Sequence, residues 1–216
     1  MGLAASFQAV LFDMDGVLLD TMSAHAQAWT RAGAELGVEI DEMEIYRREG
    51  EKGEVSARDF IKAVGMMTTR ARVRTLLETK ERAFAEMARA PKLFPGAVEA
   101  VDACRERGLK TALVTGTSRG ELTQILPAEL AERFDVVICG DEVLRGKPNP
   151  EPFLAAAMSL GVKPQVCLAV ENAPYGIRSA KTAGCMVIAL RSTLADDDLA
   201  EADQLLDDLA ALIALL

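Results

Sequence analysis

The sequence predicts an α/β protein: a Rossmann-like core with a parallel sheet and an all-helical segment inserted after the first strand. Three observations carry this. The apolar run Ala9-Val10-Leu11-Phe12 reads as a buried strand and ends on two aspartates, Asp13 and Asp15. Residues 21–91 then show helical periodicity and no convincing strand. From Gly96 onward, strand-like apolar runs alternate with helical ones, the pattern of a parallel sheet. The core is therefore assigned to residues 1–20 and 92–216, and the helical insert to 21–91.

Taken in order, Met22, Ala26, Trp29, Ala32 and Leu36 recur at helical spacing, and Gly37 closes that helix. Short helices are expected at 41–48 and 55–64, the second with Ser56 and Asp59 placed as a capping box. A longer helix runs from Thr69 to Arg89. Hinges fall near 19–22 and 90–95. A helix over 96–107 leads to a strand at 110–115, and a further helix starts near Ser118. Strands at 134–139, 166–170 and 186–190 enclose helices at 151–160 and 174–183. The acidic tail from Asp196 adds a short strand near Leu205 and a helix at 207–214.

Half of the 216 residues are hydrophobic and only 5% aromatic, so the core is expected to be aliphatic. There is no apolar run of membrane-spanning length. There is also no basic N-terminal region of a secretory signal, so a cytoplasmic protein is expected. Met1–Ser6 matches the myristoylation pattern, but no polybasic segment follows as a second membrane signal, and a flexible start is the better reading. Cys104, Cys139, Cys167 and Cys185 form no CxxC pair and read as small buried thiols in a reducing compartment. A single histidine, His25, excludes a His-rich metal site. The net charge of −9 argues against nucleic acid as a partner. Residues 22–93 hold 13 Lys/Arg against 12 Asp/Glu, so the insert is the relatively basic part of an acidic chain. That is compatible with an anionic ligand, and equally with solvated helix faces.

In a parallel sheet the C-terminal strand ends share one edge, where such sheets bind ligands. That edge collects Asp13 and Asp15 after the first strand, Thr115 after the second, Lys147 from a later loop, and Glu171-Asn172 after the fourth. Two carboxylates one residue apart repel, and a divalent cation would hold them together. Carboxylates, a hydroxyl, an ammonium and a metal suit phosphoryl transfer, with a carboxylate as nucleophile. Each residue alone has a plainer reading: Asp15 begins a turn before Gly16, Thr115 and Lys147 are ordinary edge residues, and Asn172 caps the helix that Pro174 opens. Their conjunction favours chemistry. Gly116-Thr117-Ser118-Arg119-Gly120 matches G-x-S-x-G between a strand and a helix. That motif expects its histidine after the serine, whereas His25 precedes Ser118.

These motifs resemble the haloacid dehalogenase superfamily of phosphotransferases, and within it the phosphoglycolate phosphatase/β-phosphoglucomutase-like group. Asp13-Met14-Asp15-Gly16-Val17-Leu18-Leu19-Asp20 matches DxDGxxxD. Ala112-Leu113-Val114-Thr115 matches the second motif. Gly146-Lys147-Pro148-Asn149-Pro150-Glu151-Pro152-Phe153 is close to GKPxPxxF, and Val170-Glu171-Asn172-Ala173-Pro174-Tyr175-Gly176-Ile177 stands where the fourth motif falls. The resemblance covers nearly the whole chain and places the helical insert where this group carries its cap.

The resemblance implies an Mg²⁺-dependent phosphatase of small phosphomonoesters, phosphoglycolate- or sugar-phosphate-like, that works through an aspartyl phosphate. Asp13 would attack phosphorus and Asp15 would act as acid and base. Thr115, with backbone N–H groups around Gly116 and Thr117, would hold the phosphate, and Lys147 would pair with its charge. The Asp13 carboxylate, the Asp15 carbonyl and the pair Glu171-Asn172 would bind the metal. The family's usual Asp-Asp or Glu-Asp is here Glu-Asn, which leaves open whether Glu171 or Asn172 is the ligand. Asp15 separates the chain from dehalogenases, whose leaving halide needs no proton. His25 stands where mutase-like proteins also carry histidine, but Ala173 replaces their serine, so hydrolysis is favoured over phosphomutase chemistry. Arg47, with Arg48, Lys52 and Arg58, is expected to meet the distal part of the substrate. A receiver-like phospho-acceptor is the remaining alternative; it lacks a cap and carries its acceptor on a later strand. A monomer or weak homodimer is expected.

Overall fold

The computed structural model describes residues 7–88 and 91–216. The readings placed on Met1–Ser6 and on Arg89 and Ala90 lie outside the described residues. The first strand, β1 (Ala9–Phe12), is the centre of a six-stranded, wholly parallel sheet. The others are β4 (Lys110–Val114), β5 (Val136–Ile138), β6 (Cys167–Glu171), β7 (Met186–Leu190) and β8 (Gln204–Leu206), in the order β5-β4-β1-β6-β7-β8. Phe12 lies level with Leu113 of β4 and Val170 of β6. The three central strands therefore release their next residues side by side. This is why motifs from distant stretches of sequence converge.

Side-chain alternation along β1 divides the core. Val10 and Phe12 pack on one face with α5 (Ala97–Glu106) and α11 (Leu209–Leu215). Ala9 and Leu11 face α8 (Glu151–Leu160) and α9 (Pro174–Ala183), whose contacts are largely Ala, Phe153 and Ile177. Phe12 is fully buried and meets Phe134 edge to face at 6.1 Å between centroids. Small residues let helices approach the sheet closely, which fits the aliphatic composition. All four cysteines are free and buried. Among the described residues, no helix is long and apolar enough to cross a membrane.

Between β1 and the rest of the core stand four helices: α1 (Met22–Leu36), α2 (Glu42–Arg47), α3 (Gly53–Ala63) and α4 (Arg70–Met87). They enclose a separate apolar cluster around Trp29, Ile45, Phe60, Ile61 and Leu76. Gly37 ends α1 in the left-handed conformation, and the Thr69 hydroxyl caps α4. At the expected hinges β2 (Leu19–Asp20) and β3 (Lys92–Leu93) pair antiparallel, tying the insert's two connections together. The expected Ser56/Asp59 capping box does not form. The helix starts earlier, at Gly53, so Ser56 lies inside its first turn and donates to Glu51, while Asp59 pairs with Arg48. Two short helices went unread, α7 (Ala128–Ala131) and α10 (Asp196–Leu199); between β4 and α7 lies α6 (Arg119–Ile125).

If Phe12 anchors the central strand as described, Phe12→Ala should destabilise the protein by about 3–5 kcal/mol in a denaturant titration. A cost under about 1 kcal/mol would mean that this face of β1 is not a packed core position.

Candidate active site

The C-terminal edge of the sheet carries the site. Asp13 follows β1, and its backbone N–H donates to the Val170 carbonyl at 2.9 Å, so the strand ladder sets where its side chain starts. Glu171 is the last residue of β6, and Lys147 reaches in from the loop after β5. The Lys147 ammonium donates to Asp13 Oδ1 at 2.5 Å and to Glu171 Oε1 at 2.7 Å. All three side chains are essentially solvent-free. Burial acts against the Lys147 charge, but the charges of Asp13 and Glu171 outweigh it and hold the ammonium protonated. Burial pushes the Asp13 carboxyl up to about 8 against the pull of Lys147, with Glu171 and Asp15 adding to the rise. With one ammonium among three carboxyl groups, the corner favours a proton on Asp13 unless a further cation joins it.

Asp15 is equally buried but held differently. Thr21 Oγ1 donates to its Oδ1 at 2.5 Å, His25 Nε2 lies 3.4 Å from the same oxygen, and Thr117 Oγ1 donates to Oδ2 at 3.2 Å. Burial raises this carboxyl, yet the His25, Thr21 and Thr117 contacts prevail and hold it below its ordinary value. His25 stacks on Phe84 of α4 at 4.0 Å between ring centroids. Burial, then Lys80, keeps its imidazole below the usual range. Thr115 is buried, and its Oγ1 accepts from the Thr117 backbone N–H at 3.0 Å, shaping the 115–118 turn.

The residues that a divalent cation would need are present in part. Among the described residues, no three His, Cys, Asp or Glu side chains converge as a metal cluster. However, Asp13 Oδ2 and Asn172 Oδ1 are buried with no hydrogen-bond partner. Unpaired buried oxygens are costly, and a hard cation that takes carboxylate, amide and backbone oxygens would satisfy both. Glu171 is already spent: Oε1 is on Lys147, and Oε2 accepts from the Asn172 backbone N–H at 3.1 Å. The helix-cap reading of Asn172 fails, because Ala173 occupies the N-cap of α9 and the amide caps nothing. Gly16, at φ +82°, makes room for this amide; a Cβ there would fall 2.0 Å from Asn172 Nδ2.

Helical insert and core meet directly above the site. Gly50 lies against the Lys147 side chain, and a Cβ on Gly116 would fall 2.5 Å from the Gly50 carbonyl. Lys52 donates to the carbonyls of Val143 and Leu144. A cavity of about 260 Å³ opens between the two parts, lined by His25, Trp29, Glu49, Lys80, Gly116 and Thr117 among others. Asp13 is 1% exposed and is not among the residues lining this cavity.

Of the expected residues, Asp13, Asp15, Lys147, Glu171 and Asn172 come together, with His25 and Thr117 on Asp15 and Gly116 in the cavity wall. Arg47 is a correction: it lies outside that wall, half-exposed, with Nε 2.8 Å from Asp198. The neighbouring Arg48 faces inward and pairs with Glu51 and Asp59. Arg58 is exposed and paired with Glu54. Sequence reasoning missed Thr21, directly after the aspartate motif, which donates to Asp15. Ser118 is no nucleophile here; its hydroxyl caps α6 in a capping box with Glu121.

The haloacid dehalogenase-like hydrolase profile matches residues 7–184, and the chain belongs to that family. It is 33% identical to a phosphorylated carbohydrates phosphatase of Thermotoga maritima over 82% of each chain. It is also 32% identical to hexitol phosphatase A of Escherichia coli, over 92% of this chain and 90% of that one. A putative β-phosphoglucomutase structure from Bacteroides vulgatus superposes with a TM-score of 0.86 at 30% identity, covering 96% of this chain and 86% of that one. Relatives named as phosphatases and relatives named as β-phosphoglucomutases both match the chain.

Removing the ammonium should strand two buried carboxylates. Lys147→Met is expected to cost about 3–5 kcal/mol in denaturant unfolding without divalent cations. Unchanged stability would mean that Asp13 and Glu171 are not held together by this ion pair.

Proposed function

We propose that the protein is an Mg²⁺-dependent phosphatase of small sugar or polyol phosphates that works through an aspartyl phosphate on Asp13, with the helical segment 21–91 as its cap. One observation carries this reading: the Asp13 carboxylate is dry, clamped at one oxygen by Lys147 and unpartnered at the other. The names of the phosphatase relatives support the substrate class.

Asp13 attacks phosphorus, the new carboxyl O–P bond forms, and the ester P–O bond breaks as Asp15 protonates the leaving oxygen. Asp15 then takes a proton from water, which attacks the acyl phosphate and returns Asp13 and phosphate. In the ester-free site Asp15 is the anion, the form that the second step requires of a base. A phosphate dianion beside it raises its proton affinity, supplying the acid form for the first step. Thr21, His25 and Thr117 keep the carboxyl aimed throughout. The Thr117 and Gly116 backbone lies where the phosphoryl oxygens would be held, and Lys147 offsets their charge. Mg²⁺ would be held by the Asp13 carboxylate, the Asp15 carbonyl and the Asn172 amide oxygen; bound there, it screens charge so that an anion can meet an anion.

Because Asp13 is covered, the 48–52 loop has to lift from Gly116 to admit substrate. Its return excludes bulk water during the reaction. The alternative is a β-phosphoglucomutase-like activity, favoured by the structural likeness and by His25 on Asp15. Incubating β-glucose 1-phosphate with a bisphosphate primer separates the two: a mutase yields glucose 6-phosphate, a phosphatase only free phosphate.

With Mg²⁺ and a panel of sugar and polyol phosphates, Asp13→Asn should lower kcat on the order of a thousandfold or more. Asp15→Asn should lower it roughly 10²–10⁴-fold. An Asp13→Asn enzyme as fast as the wild type would refute the mechanism.

A further inference from the structure

A further strand end meets the site from β7. Glu171 lies level with Ala189, so the chain past Leu190 leaves the sheet at the edge where Asp13 and Asn172 stand. It is fastened on its outer side. The Arg191 backbone N–H donates to the Leu206 carbonyl at 2.9 Å, and the Arg191 guanidinium pairs with Asp196 and Asp207. The hydroxyl of the next residue, Ser192, donates to the Gly16 carbonyl at 2.5 Å, a contact between residues 176 positions apart. Ser192 follows β7 and Gly16 follows β1, and β6, which leads to Asn172, is the strand between them.

Gly16 is what the Asn172 side chain packs against. A Cβ on Gly16 would fall 2.0 Å from Asn172 Nδ2 and 2.8 Å from its Cγ. Both Nδ2 and Oδ1 of that buried amide are without a hydrogen-bond partner among the described residues. A side-chain amide has two donors and an acceptor that ordinarily fix its orientation. Here packing has to do so, and the place of the Gly16 backbone decides where the amide can point. Resting on the Mg²⁺-dependent reading above, we propose that Ser192 is a positioning residue for the cation: by holding the Gly16 carbonyl it keeps the Asn172 amide where its oxygen can bind Mg²⁺.

Ser192 has no helix to cap, because Ala195 occupies the N-cap of α10. Its hydroxyl meets only Thr193 Oγ1 besides, at 3.4 Å, among the described residues. The contact with Gly16 is therefore its main use. A cavity of about 420 Å³ lies beside that contact, lined by Gly16, Val17, Phe94 and Ser192 among others. Without the hydroxyl, the Gly16 turn has space into which it can relax away from the amide. Groups that orient a metal ligand from behind are worth roughly 10–100-fold in metal affinity. An amide oxygen brings no net charge to a cation, so its contribution depends on placement more than a carboxylate's does.

The test is calorimetric titration of Mg²⁺ into the full chain without substrate, for the wild type, Ser192→Ala, Ser192→Thr and Asn172→Ala. Ser192→Ala should weaken Mg²⁺ binding roughly tenfold or more, and Asn172→Ala at least as much. Ser192→Thr keeps the hydroxyl and should stay within about threefold of the wild type. Ser192→Cys, similar in size but a weak donor, should fall with Ser192→Ala and replaces it if that variant does not fold. A role confined to stability would lower the unfolding midpoint of the metal-free protein and leave Mg²⁺ affinity where it was. Wild-type affinity in Ser192→Ala or in Asn172→Ala, or a Ser192→Thr as weak as Ser192→Ala, overturns the proposal. Release of phosphate from p-nitrophenyl phosphate by the wild type with Mg²⁺ leaves the phosphatase reading standing in each of those cases. A wild type that neither binds Mg²⁺ nor releases phosphate from any ester overturns both.

Discussion

A single ammonium, that of Lys147, lies between the carboxylates of Asp13 and Glu171 in a place without water. In that environment attraction between the charges is strong, but so is the cost of removing them from solvent. The arrangement exists only because the sheet puts β1 between β4 and β6 and the β5 loop carries Lys147 back across the edge. Burial raises the Asp13 carboxyl despite this ammonium, and one oxygen of Asp13 and the amide oxygen of Asn172 stay without a hydrogen-bond partner. Structural ion pairs are usually saturated. This one is incomplete, which marks it as part of a binding site.

The helical insert finishes the environment. Its 48–52 loop meets the 115–118 turn backbone to backbone through Gly50 and Gly116, an approach that side chains would block. Lys52 and Arg47 fasten the same face to the core through the Val143 carbonyl and Asp198. Arg47 thus serves the contact between the two parts of the chain, while Glu49 and Lys80 face the space between them. On the proposed reading, the chemistry lies on the sheet edge and the helical insert covers it.

Sequence reading captured what is local or strongly periodic. The β1 aspartates, Glu171 and Asn172 stood out because polar residues at the ends of apolar strands are unusual, and Lys147 because of the Gly-Lys-Pro loop that holds it. Helices α8 and α9 and strand β7 were legible from their periods and punctuation. What escaped depends on three-dimensional phase. The β2–β3 pair is two residues per strand and is held by a partner more than 70 positions away. Ser56 and Asp59 satisfied a capping pattern, but Gly53 started the helix first. Arg47 and Arg48 are adjacent at a helix end, where periodicity cannot say which faces inward. Asn172 looked like a cap until Ala173 proved to hold that position, leaving its amide for another use. Which of Glu171 and Asn172 keeps an oxygen free depends on where Lys147 reaches, which no local pattern encodes.

The central claim is that the clamped Asp13 carboxylate accepts the phosphoryl group. Its most direct test is acid-quenched turnover followed by borohydride trapping and peptide mass spectrometry. Modification at Asp13, and nowhere else in the chain, is the predicted result. A trapped group on another residue, such as Ser118, or unmodified Asp13 throughout rapid turnover, would contradict it.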